Sequence, residues 1–260
     1  MQRQMDVLSK RNPQDQTPPR IVVTMPAYNA AKTLLKTFND IPKELVCEII
    51  MVDDCSHDET VSIGGTLPIK VIRHPHRTGY GGNQKTCYLE ALRDGADIVV
   101  MLHPDYQYDP LKIPDMVAPI LSGEADIVLG SRILNGDALK GGMPFYKYVA
   151  NRALTACQNL VLGAQLSEFH TGYRAYSRRF LETVPFLRNS SDFVFDAEIL
   201  CQAVFFEFKI GEIPVETRYF PAASSISFWP SVVYGLGVLW SLCLFCAAKT
   251  SWFKAPLFRQ

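Results

Sequence analysis

Short apolar runs and amphipathic stretches alternate along the first half of the chain. Ile21-Val22-Val23-Thr24-Met25 is nearly all apolar and rich in β-branched residues, and Pro26 is expected to stop it as a strand. Ala30–Asn39 follows with Leu34, Leu35 and Phe38 at helical spacing. Cys47–Val52 repeats the strand pattern and ends at Asp53-Asp54, and Ile69–Ile72 is a shorter strand running into His74-Pro75-His76. A glycine-rich loop then leads to a helix over Gln84–Asp94. After it come a strand at Asp97–Leu102, a helix at Leu111–Leu121 and a strand at Asp126–Leu129, ending at Gly130-Ser131-Arg132. Strands alternating with helices at this spacing predict an α/β fold with a mostly parallel, mixed central sheet and helices on both faces.

After residue 135 the pattern loosens. It predicts a long helix over Phe145–Gly163, a strand at Tyr173–Tyr176, a helix at Asp196–Phe205 and a strand at Phe208–Pro214. This half reads as an acceptor-shaping elaboration of the same domain, and no internal repeat interrupts it. In sheets of this kind ligands sit beyond the carboxyl ends of the strands, so the polar groups there are the place to look for chemistry.

Charge adds a second pattern. The chain has 26 basic and 26 acidic side chains, which gives no electrostatic case for nucleic acid along a whole face. No charged residue occurs between Arg218 and Lys249, an interval of 30 residues. Within it Ser231–Ala248 is near the lower limit of a membrane-spanning helix, with Trp229 before it and Lys249, Trp252 and Lys254 after it as candidate interfacial anchors. Three expectations stand: a helix lying on or dipping into a membrane, a spanning helix, and a buried or dimer-forming helix. Met1–Arg20 is polar, holds Pro13, Pro18 and Pro19, and lacks the apolar core of a signal peptide. It reads as a mobile tail on a chain kept in the cytosol. The seven cysteines are scattered in mostly apolar surroundings, and Cys243-x-x-Cys246 has no second pair, so reduced thiols are expected.

Four clusters lie at the expected strand ends: Pro26-Ala27-Tyr28-Asn29, Asp53-Asp54-Cys55-Ser56, His103-Pro104-Asp105-Tyr106-Gln107 and Gly130-Ser131-Arg132. Each alone is weak, because polar residues after strands often cap helices. Ser56 or Asp58 suits the cap of a following helix, and Asp109-Pro110 is the pattern of a cap followed by Pro at the first helical position. His74 and His76 have no third ligand nearby and read as solvent-facing.

In order and spacing together, these clusters resemble the inverting family 2 glycosyltransferases, within them the branch of dolichol-phosphate mannosyltransferase and other polyprenyl-phosphate glycosyltransferases. Supporting matches are Gly79-Tyr80-Gly81-Gly82-Asn83, Thr171-Gly172-Tyr173-Arg174, Phe195-Asp196-Ala197-Glu198 and Ile213-Pro214-Val215 with Arg218, over roughly residues 20–225. The resemblance implies a GT-A nucleotide-sugar fold. It implies that Asp53, with Asp54 beside it, accepts hydrogen bonds from nucleobase or ribose, and that Pro26, Ala27, Tyr28 and Asn29 wall the base. Gly79, Gly82, Lys85 and Arg174 join the expected substrate-binding set, and Arg132 and Arg218 add positive charge at the phosphates. Asp105 and Gln107, with His103, would hold Mg2+ or Mn2+ bridging the diphosphate. Asp196 and Glu198 are the candidate general bases if the acceptor is a hydroxyl, Asp196 being equally a candidate helix cap. A lipid phosphate is already anionic and needs only positioning.

Two departures from the family pattern remove negative charge near the nucleotide. His103 stands where the family usually has an acid, and Ala30 where it commonly has Glu. An imidazole suits Mn2+ better than Mg2+. The expectations are therefore an enzyme using a GDP- or UDP-linked sugar and a polyprenyl phosphate, one using a non-lipid acceptor, or a binding protein without transfer activity. A nucleotide-dependent dehydrogenase is set aside because the Gly79–Gly82 loop lacks the G-x-G-x-x-G spacing at the first strand. The expected layout is a tail over residues 1–19, the transferase body over 20–225, and an apolar helix with a basic tail over 226–260. That helix would contact the cytosolic face of a membrane or a second copy of the chain.

Overall fold

The computed structural model describes residues 18–135, 138–139, 141–218, 228–250 and 255–259. The tail up to residue 17 and the anchors Trp252 and Lys254 lie outside them. Seven strands form one sheet: β1 (Ile21–Ala27), β2 (Glu48–Asp53), β3 (Lys70–Arg73), β4 (Ile98–Met101), β5 (Ile127–Ser131), β6 (Arg174–Ser177) and β7 (Ile210–Pro214). Their order is β3-β2-β1-β4-β6-β5-β7. All neighbours are parallel except β6, which runs antiparallel between β4 and β5. Its reversed direction brings the segment leading into β6 to the edge where β4 and β5 end, since Arg174 pairs with both Met101 and Leu129.

The apolar strands are continuous because both faces are covered. On β1, Val22 packs with the core on one face while Ile21, Val23 and Met25 pack on the other. Ile50 and Val52 against Ile49 and Met51 repeat the alternation on β2, as do Val99 and Met101 against Ile98 and Val100 on β4. One face carries α3 (Tyr80–Arg93) and α7 (Phe195–Phe205), and the other carries α1 (Leu34–Asp40) and α4 (Ile113–Leu121). The shorter α2 (Thr60–Gly65) packs beside β2 and β3, α6 (Arg178–Thr183) puts Phe180 and Leu181 into the core of the first face, and α5 (Phe145–Leu162) and α8 (Phe228–Lys249) pack against each other.

Several expectations change in detail. Strand β1 does not stop at Pro26 but runs through it to Ala27. Alternate residues of β1 face β4, and the β4 pairing has ended at Thr24, so the N–H that proline lacks faces no strand. Helix α3 begins at Tyr80 rather than Gln84, because the Gly81 and Gly82 N–H groups donate to the Ser191 carbonyl at 2.8 and 3.2 Å. A Cβ on Gly81 would lie 2.5 Å from the Ser190 carbonyl oxygen, which requires glycine there. Ser56 and Asp58 do not cap α2, whose cap position is Glu59. They tie down the loop after β1 instead, accepting from the Asn29 and Ala31 N–H groups. Asp109 does cap as expected, accepting from the Leu111 N–H ahead of α4. Gly163 closes α5 at φ 67°, and all the described cysteines are free thiols.

Candidate active site

The loops after β1, β2 and β4, the segment before β6, and α5 and α8 enclose one cleft of about 1160 Å3. The first three loops bend sharply. Asn29, Cys55 and Tyr106, one in each, have left-handed φ of 50°, 65° and 58°, a strain that residues with side chains adopt only where the surroundings enforce it.

At the β1–β2 end, Pro26, Ala27, Tyr28, Asp54 and Gly79 line the cleft. The Arg77 guanidinium lies 4.0 Å over the Tyr28 ring. Asp54 is buried and accepts from the Thr78 N–H and hydroxyl, each at 2.7 Å, and from the Gly79 N–H at 3.0 Å. His74 contacts the same carboxylate through Nδ1 at 3.0 Å and Thr86 through Nε2 at 3.0 Å. Burial alone would raise Asp54, but the bonds from Thr78, His74 and Gly79 outweigh it and hold the carboxyl below its usual range. His74 is thus a buried clamp on the Arg77–Gly79 loop and not the solvent-facing residue expected, whereas His76 is exposed.

Some expected groups at this end do not line the cleft. Asp53 is wholly buried, with Oδ2 accepting from the Ser56 N–H at 3.0 Å and Oδ1 without a hydrogen-bond partner. Asn29 accepts from the His57 N–H and is exposed, and Gly82 sits against Thr78. Lys85 points away along α3, donating to the Asn189 carbonyl.

In the middle of the cleft His103, Asp105 and Gln107 follow one another after β4. Asp105 Oδ1 accepts from the Gln107 N–H at 3.0 Å. Tyr80 lies between His103, its ring centroid 5.5 Å away, and Phe193 at 4.6 Å. Its hydroxyl donates to Asp196 Oδ2 at 2.8 Å. Asp196 Oδ1 accepts from Gln84 at 3.2 Å and lies 3.5 Å from the Arg174 guanidinium. Asp196 is in the first turn of α7, one residue past its start, and does not cap it. Arg174 is fully buried and holds the Thr171, Asp196 and Phe169 carbonyls, so it braces the cleft wall from behind. Glu198 also lies outside the cleft, accepting from the Ser190 N–H at 2.6 Å. Two residues along a helix turn the side chain by about 200°, so Asp196 and Glu198 cannot face the same way.

At the α5–α8 end the cleft is lined by Arg132, Lys147, His170, Met143 and Tyr146 together with Pro230, Ser231, Val232, Tyr234 and Gly235 of α8. The Arg132 N–H and Nε donate to the buried Glu168 at 2.8 and 2.9 Å, and Nη2 to the His170 carbonyl at 2.8 Å. Burial would raise Glu168, but the Arg132 charge and hydrogen bonds hold it below its usual range. Burial, then the Arg132 charge, push Lys147 below the ordinary lysine value. His170 Nδ1 meets the Tyr234 hydroxyl of α8 at 2.7 Å, and burial holds this imidazole at about 4, so it is neutral near pH 7. Lys147, His170 and Arg77 carried no sequence signal beyond their types, and Tyr80 was marked only by its place in the Gly79–Asn83 run. Arg218 is half-exposed outside the cleft, over the Tyr106 ring and 3.8 Å from Asp109.

On α8, Trp229, Val233, Leu236 and Trp240 form one exposed face, the tryptophans being 75% and 65% exposed. Val238, Ser241, Leu242 and Phe245 form the opposite, buried face. The helix is long and apolar enough over Trp229–Lys249 to cross a membrane, with mean hydropathy 1.9.

Residues 22–184 match glycosyl transferase family 2. The chain is 28% identical over 246 residues to the UDP-N-acetylglucosamine–dolichyl-phosphate N-acetylglucosaminyltransferase of Methanococcus voltae, covering 88% of this chain and 97% of that one. It is 24% identical over 207 residues to the polyprenol monophosphomannose synthase of Mycolicibacterium smegmatis, covering 75% and 76%. Among solved structures, glucosyl-3-phosphoglycerate synthase from Mycobacterium tuberculosis, in complex with Mn2+, UDP and glucosyl-3-phosphoglycerate, superposes with a TM-score of 0.69 at 22% identity, over 88% of this chain and 80% of that one. That likeness establishes the GT-A-like fold, and the family match covers most of the chain. The protein belongs to glycosyl transferase family 2, on the side of its polyprenyl-phosphate glycosyltransferases, and is a glycosyltransferase.

Proposed function

We propose that the chain transfers a sugar with inversion from a nucleoside diphosphate sugar to a polyprenyl phosphate at a membrane surface, assisted by Mg2+ or Mn2+. The observation that carries this reading is the placement of Arg132 and Lys147 at the end of the cleft walled by α5 and α8. The Lys147 cation, with the Arg132 guanidinium that is shared with Glu168, beside an apolar wall suits a ligand with an anionic head and a hydrocarbon tail. The relatives named for dolichyl-phosphate and polyprenol substrates support the same acceptor class.

The donor half follows from the opposite end. The base packs by Tyr28, within reach of Arg77, while Asp53, buried behind that wall, holds the Ser56 N–H and so the shape of the loop. Asp105, His103 and Gln107 offer one carboxylate, one imidazole and one amide, and no group of three His, Cys, Asp or Glu gathers among the described residues. So sparse a set fits a divalent ion that takes its other ligands from phosphates and water. Such an ion would offset charge on the departing diphosphate.

The remaining work falls to the chain itself. Arg132 and Lys147 orient the acceptor phosphate behind the sugar carbon, and that oxygen is already anionic, so positioning replaces proton removal. Both oxygens of Asp196 are engaged by Tyr80, Gln84 and Arg174, which fits a site without a general base. The exposed face of α8 rests on lipid while its buried face stays packed on the body over 20–225, at the cytosolic side.

Purified full-length chain is to be incubated with UDP- and GDP-linked sugars, vesicles carrying polyprenyl phosphate, and Mn2+ or Mg2+. The expected product is a glycosyl phosphoryl polyprenol of inverted anomeric configuration. Transfer only to water or to a soluble hydroxyl acceptor such as phosphoglycerate overturns the acceptor assignment.

A further inference from the structure

His103 is joined to the interior of the fold through a single atom. Its Nε2 lies 3.3 Å from the Tyr80 hydroxyl, and the same hydroxyl lies 2.8 Å from Asp196 Oδ2. Ionised Asp196 can only accept, so the one phenolic proton of Tyr80 goes to it. Toward His103 the Tyr80 oxygen can then only accept, and Nε2 must carry hydrogen. The Nε2 edge is also packed against Gly172, where an added Cβ would stand 3.1 Å from Nε2 and Cδ2. No hydrogen bond engages Nδ1 among the described residues, and Nδ1 is not among the buried polar atoms left unpartnered. It is the open nitrogen of a half-buried ring that lines the cleft beside Asp105.

We propose that Asp196 and Tyr80 are positioning residues that set His103 in its Nε2–H form, so that Nδ1 and the Asp105 carboxylate together select Mn2+ over Mg2+. The inference rests on the metal-assisted reading above and sharpens it by giving Asp196 a task other than proton removal. A metal-bound histidine commonly donates its second ring N–H to an acceptor that fixes its orientation and raises its basicity. Here the acceptor is a phenol backed by a carboxylate, itself held by Gln84 and buried Arg174. Imidazole is a better ligand for manganese than for magnesium, which holds more strictly to oxygen.

The test uses the full chain labelled with 15N-histidine, with the His103→Asp variant to assign the ring signals. In the metal-free protein, two-bond nitrogen–proton correlations should place the proton on Nε2 of His103. Mn2+ and Mg2+ affinities are then measured in the presence of uridine diphosphate, Mn2+ by electron paramagnetic resonance and Mg2+ by competition. Wild type should bind Mn2+ at least about tenfold more tightly than Mg2+, and Tyr80→Phe should weaken Mn2+ about tenfold while leaving Mg2+ nearly unchanged. His103→Asp should narrow or reverse the preference, with an unchanged melting temperature showing that the fold is retained. A proton on Nδ1, equal affinity for the two ions in wild type, or an unchanged Mn2+ affinity in folded Tyr80→Phe overturns the inference. If neither ion binds wild type, the metal-assisted reading fails with it, while the tautomer spectrum still decides whether the relay exists.

Discussion

The two ends of the cleft are built in different ways. The β1–β2 end is made by chain that has just left a strand: Tyr28, Asp54 and Gly79 are held by bonds to nearby loops, among them Thr78 and Gly79 donating to Asp54. The α5–α8 end is assembled from Arg132, Lys147, His170 and Tyr234, which come from four separate stretches of sequence. The first is a rigid turn-built pocket suited to a planar, polar ligand. The second is a seam between helices with a charged floor and apolar sides, suited to a long amphipathic one. Substitutions that separate donor from acceptor kinetics test this division directly.

The largest effect is expected at the centre, where both substrates meet. Asp105→Ala should lower turnover by about a hundredfold or more while leaving the melting temperature nearly unchanged, because it removes one half-buried loop carboxylate whose bond within the fold is to the Gln107 N–H two residues on. Unchanged turnover in the folded variant would remove the metal assignment.

Lys147→Met should raise the acceptor KM by about tenfold and leave the donor KM alone, the loss of one charged hydrogen bond. The lysine also predicts a pH dependence. Its proton is lost at a lower pH than that of an ordinary lysine, so acceptor binding should weaken early as pH rises. Lys147→Arg, charged throughout, should extend binding to higher pH. Acceptor KM profiles of the two proteins decide this, and identical alkaline limbs would place the lysine outside the acceptor site.

His74→Leu should act at the other end. Losing the ring's contact with the Asp54 carboxylate loosens the Arg77–Gly79 loop, and the donor KM should rise about fivefold with the acceptor KM unchanged. The smallest effect is expected at Trp240→Ser, which should weaken flotation on phospholipid vesicles a few-fold and leave transfer to a soluble short-chain isoprenyl phosphate intact. Equal loss in both assays would show that α8 acts by shaping the cleft rather than by touching lipid.

Much of the β1–β2 end was legible in the sequence because each of its parts follows a strand. Runs such as Ile21–Met25 and Cys47–Val52 declare buried strands by composition, and the residues just after them must lie at one edge of the sheet. The same logic failed at β6. It runs against its neighbours, so the segment before it, with His170, reaches the cleft, and a search after strands passes it over. Helical residues misled in another way: Glu198 belongs to a recognisable motif and Lys85 follows one by two residues, yet the turn of α3 and α7 points them at Asn189 and Ser190. His74 looked like a loop residue because its partners, Asp54 and Thr86, are 20 and 12 residues away.

By itself, then, the sequence determined the alternation of elements, the strand ends, the family and the uncharged helix, since each depends on local order and composition. Only the tertiary structure decided which carboxylates face the cleft, which histidines are buried, and where Arg132 and Lys147 meet α8. Those outcomes depend on strand direction and helix rotation, which arise from packing between distant segments and leave no mark at any one position.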